Sequence, residues 1–193
     1  MIPEQRLSTT PVPGALLGAR GSRPVTATHD YEDGGIALND PSRGLQFQVW
    51  EAYLQNNNIV LEAAGYPPTV VYTGAAAITE VSLAFDQNMR PTIAFVEGGQ
   101  AKLRWFDSVP GQQVVTVLDP DVVNPRVTLD DKHPLGVPAS DVILAYLRLG
   151  GLYFRAQRDR YTIEYLLEAA APAELIKIGL SDQYRLQFEF APE

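Results

Sequence analysis

The chain has no cysteine in its 193 residues. Neither a disulfide framework nor a thiolate metal site can therefore be built. Histidine is nearly as scarce: His29 and His133 are the only two, and they lie far apart in sequence. A zinc site would need carboxylates from elsewhere to complete it. Positive charge is in short supply, since 15 basic against 23 acidic residues give a net charge of −8. Phosphate-backbone binding needs clustered Lys and Arg to displace counterions, so no nucleic-acid partner is expected. No apolar run approaches the roughly 20 residues of a membrane span, and no membrane insertion is expected. The opening MIPEQRLSTTPVPG lacks the basic start and apolar run of a signal peptide, which points to synthesis in a cytoplasm. There is no Gly-x-Ser-x-Gly elbow, phosphate loop or dinucleotide fingerprint, and no cofactor is expected.

What is present is a β pattern. Hydrophobic content of 46% and charged content of 20% are ordinary for a globular protein. Residues 81–167 read as one four-strand unit written twice. VSLAF, PTIAFVEGGQ, AKLRWFD and QQVVTVL are answered by RVTLD, DVILAYLRLGG, LYFRAQRDR and YTIEYLL. Gly98-Gly99 falls against Gly150-Gly151, and Glu97-Gly98-Gly99-Gln100 is a tight hairpin turn. A repeat of roughly 40–50 residues holding four short strands is the signature of a propeller blade or a comparable meander. Upstream, Leu45, Phe47 and Val49 alternate with polar or aromatic neighbours. Asn56-Asn57-Asn58 then turns the chain into Ile59-Val60-Leu61 as a hairpin partner.

Gly65-Tyr66-Pro67-Pro68 reads as a break, followed by a short strand over 69–73. Glu168-Ala169-Ala170-Ala171 is the one helical candidate, stopped by Pro172. The stretch after it, through Ile176 and Ile178, reads as a strand, and 184–190 as a strictly alternating one. Residues 1–44 are rich in Pro, Gly, Ser and Thr and read as an extended amino-terminal arm. The expected fold is all-β: antiparallel meander repeats, propeller-blade-like or packed as a sandwich, in a domain over 45–193 with repeats at 81–119 and 127–167. Two blades cannot close a ring, so either the earlier strands form a third, the repeats pack face to face, or subunits share the structure.

Few residues ask for a chemical role. Arg155-Ala156-Gln157-Arg158-Asp159-Arg160-Tyr161, with Glu164 close behind, is the densest polar cluster. Its residue types match a propeller glycosidase acting on acidic sugars, where arginines clamp a carboxylate and a Tyr/Glu pair does covalent work. The same string fits a hairpin turn whose charges pair with each other, and neighbours on a strand point to opposite faces. Asp86-Gln87-Asn88, Asp119-Pro120-Asp121 and Asp130-Asp131 offer oxygen atoms to calcium but match no complete loop, and turn chemistry explains them as well. His133 sits in the inserted loop Lys132-His133-Pro134-Leu135-Gly136 and reads as a surface residue. The expected site residues are therefore catalytic none, cofactor-binding none and metal none, and no enzyme activity is expected.

Three strings, Val81-Ser82-Leu83-Ala84-Phe85-Asp86-Gln87-Asn88-Met89-Arg90-Pro91, Pro125-Arg126-Val127-Thr128-Leu129-Asp130-Asp131-Lys132 and Ser140-Asp141-Val142-Ile143-Leu144-Ala145-Tyr146, resemble a group of structural virion proteins of tailed bacteriophages. Tyr153 and Gln157-Arg158-Asp159-Arg160-Tyr161 carry the same likeness, which covers roughly residues 45–190. The group lies among tail and tail-tip proteins. The resemblance implies a structural component at the tail tip or fibre-attachment region of the virion. It implies partners among other virion tail proteins and copies of itself in a symmetric ring, held through sheet edges and the amino-terminal arm. A receptor- or glycan-binding module of a fibre, and then a glycan hydrolase, are the other readings.

Overall fold

The structure is a computed structural model, and the residues it describes are 31–39, 46–63, 65–86, 90–130, 141–171, 174–180 and 186–191. The first sheet consists of β1 (Tyr31–Asn39), β2 (Gln46–Gln55), β3 (Asn58–Ala63) and β4 (Tyr66–Thr73). The second holds β5 (Ile78–Phe85), β6 (Pro91–Glu97), β7 (Gln100–Asp107) and β8 (Gln112–Val117). The third holds β9 (Val122–Asp130), β10 (Asp141–Arg148), β11 (Gly151–Ala156) and β12 (Tyr165–Glu168). A fourth sheet has two strands, β13 (Leu175–Leu180) and β14 (Leu186–Phe190). Every pairing is antiparallel and every sheet is a simple meander in chain order. The described residues contain no α-helix, only the 3-10 turn Gln157–Asp159.

The two repeats at 81–119 and 127–167 fall on the second and third sheets, and the earlier strands form a further sheet of the same order. First strands neighbour first strands: β1 lies by β5, β5 by β9 and β9 by β13. The chain therefore leaves each sheet at its outer strand and enters the next at its inner one, as blades do around an axis.

Alternation explains why sheets stack this way. In the second sheet Val81, Leu83, Phe85, Ile93 and Phe95 face the first sheet and meet Ala52, Leu54, Ile59 and Leu61. The side chains between them, Ala84, Ala94, Val96, Leu103 and Trp105, face the third sheet and meet Val127, Val142, Leu144, Tyr146 and Tyr161. A sheet buried on both faces needs apolar residues at successive positions, which is why β6 is buried from Thr92 to the end of the strand. The pairing of Ile93 with Arg104 puts Leu103 and Trp105 on the opposite face from Ile93 and Phe95. A smaller core of Ala145, Leu147, Leu152, Leu175 and Ile178 joins the third sheet to the fourth.

Three expectations need correction. Strand β1 lies within the arm expected over 1–44, so the β domain begins by Tyr31, and residues 1–30 and 40–45 lie outside the described residues. Pro67 and Pro68 do not break the chain but open β4. This strand is the outer edge of its sheet, where every second N–H points away from the partner, and the pairing with β3 shifts register between Tyr66 and Thr69, at the two prolines. Glu168 ends β12 rather than starting a helix, and Ala171 N donates instead to Gly150 O at 2.8 Å.

Candidate functional site

Cross-strand register gathers an extended polar network around part of the expected cluster. Leu144 pairs with Arg155 and Tyr146 with Tyr153, so Tyr146, Arg155 and, two residues on, Arg148 share the face turned to the second sheet. Arg155 Nε donates to the Tyr146 hydroxyl at 2.7 Å, and its Nη2 reaches Asp119 at 2.5 Å and Glu164 at 3.2 Å. Arg148 Nε donates to Asp121 at 2.9 Å and its Nη1 to Glu164 at 2.9 Å. The Tyr146 hydroxyl donates to Glu164. Two guanidiniums thus face three carboxylates. The acidic residues come from the link between β8 and β9 and from the segment before β12.

The other two arginines of the cluster go elsewhere. Arg158 pairs with Asp141 at 3.4 Å and Arg160 with Asp107 at 2.5 Å. The 3-10 turn and the left-handed residues Arg160 and Tyr161, at φ 52° and 56°, splay the three side chains apart. Tyr161 turns inward, is buried, and meets Trp105 edge to face at 5.0 Å. The cluster therefore does not converge on one point.

Its electrostatics follow from burial. Tyr146 has no exposed surface, and burial first, then its bond to Glu164, pushes its hydroxyl well above the usual phenol range. Burial alone would raise the Glu164 carboxyl. Hydrogen bonds from Tyr146 and Arg155, with the charges of Arg148 and Arg155, outweigh it and hold the carboxyl below its ordinary value. A covalent tyrosine needs a lowered pKa and an open approach, and a clamp for an acidic sugar needs unpaired arginines. Here the phenol is held protonated and both guanidiniums are committed to carboxylates. What the arrangement does is fasten the β8–β9 link to the third sheet.

The acidic turns divide by role. Asp86 holds its own turn, accepting from Arg90 N at 2.9 Å, as turn chemistry predicts. Asp119 and Asp121 instead carry the network above. Among the described residues no group of three or more possible ligands is placed to hold a metal ion. Asn88, Asp131 and His133 lie outside the described residues. Sequence reasoning missed Glu97, which is buried in the second sheet. It accepts from Tyr72 at 2.8 Å, from the amides of Ala75 and Ala76 and from Lys102. Its bond from Lys102, against the opposing effect of burial, and those from Tyr72 and the amides bring its carboxyl down to about 2. The signal available was a glutamate at the end of an otherwise apolar strand. It missed Arg126 too, which is 4% exposed. Arg126 joins Glu80 of β5 at 2.8 Å to the Ile176 carbonyl of β13 at 2.6 Å.

The outer strands present a different feature. Tyr66 and Val70 on β4, Val115 and Val117 on β8, and Leu166 and Leu167 on β12 are all exposed. Each of these strands ends its sheet. The chain matches no protein-family model, no curated protein and no solved structure.

Proposed function

We propose that this chain is a structural subunit of a bacteriophage tail, at the tip or fibre-attachment region, and that it works by holding neighbouring subunits rather than by chemistry. The observation that carries the reading is the set of outer strands. Each pairs on one side only among the described residues and displays aliphatic side chains. Unpaired backbone beside exposed valine and leucine is what a partner chain covers, through added strands or flat packing. Partners of this kind are other tail proteins and further copies in a symmetric ring. The resemblance of 81–91, 125–132 and 140–146 to tail proteins supplies the setting. No helix among the described residues is long and apolar enough to cross a membrane.

Native mass spectrometry of the purified chain, alone and with the tail proteins encoded beside it, tests the reading. A defined oligomer or complex is expected, and Val115→Lys with Val117→Lys should dissolve it while circular dichroism stays unchanged. A chain that remains monomeric in every mixture, or a complex indifferent to changes at all three outer strands, sinks it.

A further inference from the structure

Among the described residues three sheets have four strands and the fourth has two. Its inner strand is already engaged, because the Ile176 carbonyl of β13 accepts from Arg126. Among the described residues the unpaired edge belongs to β14, where Leu186, Phe188 and Phe190 are half-buried, Phe188 and Phe190 against the core shared with the third sheet, while Gln187 and Glu189 are exposed. Beside that edge the third sheet is uncovered. Phe154 and Tyr165 stack at 4.8 Å on the face that β13 and β14 cover only in part, and Leu167, two residues beyond Tyr165, is 41% exposed.

The path of the chain says what belongs there. It passes from β4 to β5, from β8 to β9 and from β12 to β13, each time from an outer strand to the next inner strand. By the same rule the chain entering β1, an inner strand, comes from an outer strand, and the sheet without outer strands among the described residues is the fourth. We propose that the β14 edge, with the shelf of Phe154, Tyr165 and Leu167, is the docking site for residues 1–30 of the same chain.

Length and charge agree. Thirty residues reach up to about 100 Å when fully extended, enough to lie along the β14 edge and return to β1. Residues 1–30 hold three arginines against two carboxylates, whereas 31–193 hold 12 basic against 21 acidic residues. The exposed Glu168 on β12, Glu189 on β14 and Glu174 just before β13 lie around that edge. Prolines in the segment are tolerated because edge strands carry free N–H positions. The inference rests on the fold and stands whether or not the virion reading does.

The absence of cysteine makes the test clean. Gln187→Cys on β14 is combined, in the full chain, with Thr10→Cys, Leu17→Cys or Val25→Cys, and each double variant is oxidised. Val117→Cys on β8 replaces Gln187→Cys in the control set, as an equally open edge. At least one β14 pair should close an intrachain disulfide about tenfold faster than its β8 counterpart, because docking raises the effective concentration. Amides of β14 should also resist hydrogen exchange, and Leu7→Asp with Leu17→Asp should release them while β6 and β10 remain protected. Equal rates at the two edges, or unprotected β14 amides in the full chain, overturn the proposal. Covalent dimers in place of intrachain bonds also overturn it, by giving the edge to a second copy.

Discussion

Single residues decide where this fold tolerates charge. Glu97 is buried, yet it is the most heavily bonded carboxylate of the second sheet, tying Tyr72 and the link at Ala75 and Ala76 to Lys102. Since its folded pKa of about 2 lies below its ordinary 4.5, the stability it adds is fully present above about pH 4.5. That contribution is lost as pH falls toward 2. Glu97→Gln should cost about 2–3 kcal/mol at neutral pH, because Lys102 is left uncompensated. It should also flatten the fall in unfolding midpoint between pH 4.5 and 2, as followed by urea titration. An unchanged acid profile would show that other carboxylates govern it. Leu149 makes a different point. The sequence pairs Gly150-Gly151 with Gly98-Gly99, but Gly98 and Gly99 both have positive φ whereas the second turn uses Leu149 and Gly150, at 49° and 78°. Gly151 has slipped into β11, where a Cβ would press on Tyr153 and on the Glu168 carbonyl. Two glycines in the same alignment thus serve different ends, and only the backbone reveals which.

At the level of strands, the seams between sheets are where a few polar contacts fix the order of apolar layers. Val127 N donates to Ser82 Oγ at 3.0 Å, and Arg126 spans from Glu80 to Ile176 O, so β5, β9 and β13 are laced along their inner edges. Removing the guanidinium leaves the part-buried Ile176 carbonyl and the Glu80 carboxylate without that donor but keeps the apolar cores whole. Arg126→Met should therefore cost about 2 kcal/mol and should loosen β13 before β9. Hydrogen exchange resolved by strand would show this, and equal loosening of both strands would contradict it. Most strands were legible because a four-strand repeat imposes a pattern long enough to read, and the strand beginning near Leu175 emerged as expected. Two of the misreadings share one cause, which is that strand pairing is a tertiary property. Pro67 and Pro68 look like a break only if β4 must pair on both sides, and Glu168 to Ala171 look helical only without the neighbouring Gly150 carbonyl. The network around Arg155 was half legible. Arg155 and Glu164 stood out in one short string, whereas Tyr146, Arg148, Asp119 and Asp121 arrive through cross-strand pairing and a turn.

For the molecule as a whole, the chemistry of the best-formed polar cluster bears on what to assay. A glycan hydrolase built on Tyr146 and Glu164 would need the phenol to ionise and the arginines to be released from Asp119 and Asp121. Purified protein is expected to release no sugar from host polysaccharide. Reducing-sugar release that disappears with Glu164→Gln would reverse that expectation and restore the hydrolase reading. The stacking itself has a further consequence. Because the second sheet presents one apolar face to the sheet before it and another to the sheet after it, each unit's contacts end at its nearest neighbours. The chain always enters such a unit at the inner strand and leaves at the outer. A gene segment encoding one sheet could therefore be duplicated between two others without breaking any existing seam, so the fold can lengthen by whole sheets, and its ancestry is open to growth by copying rather than by invention.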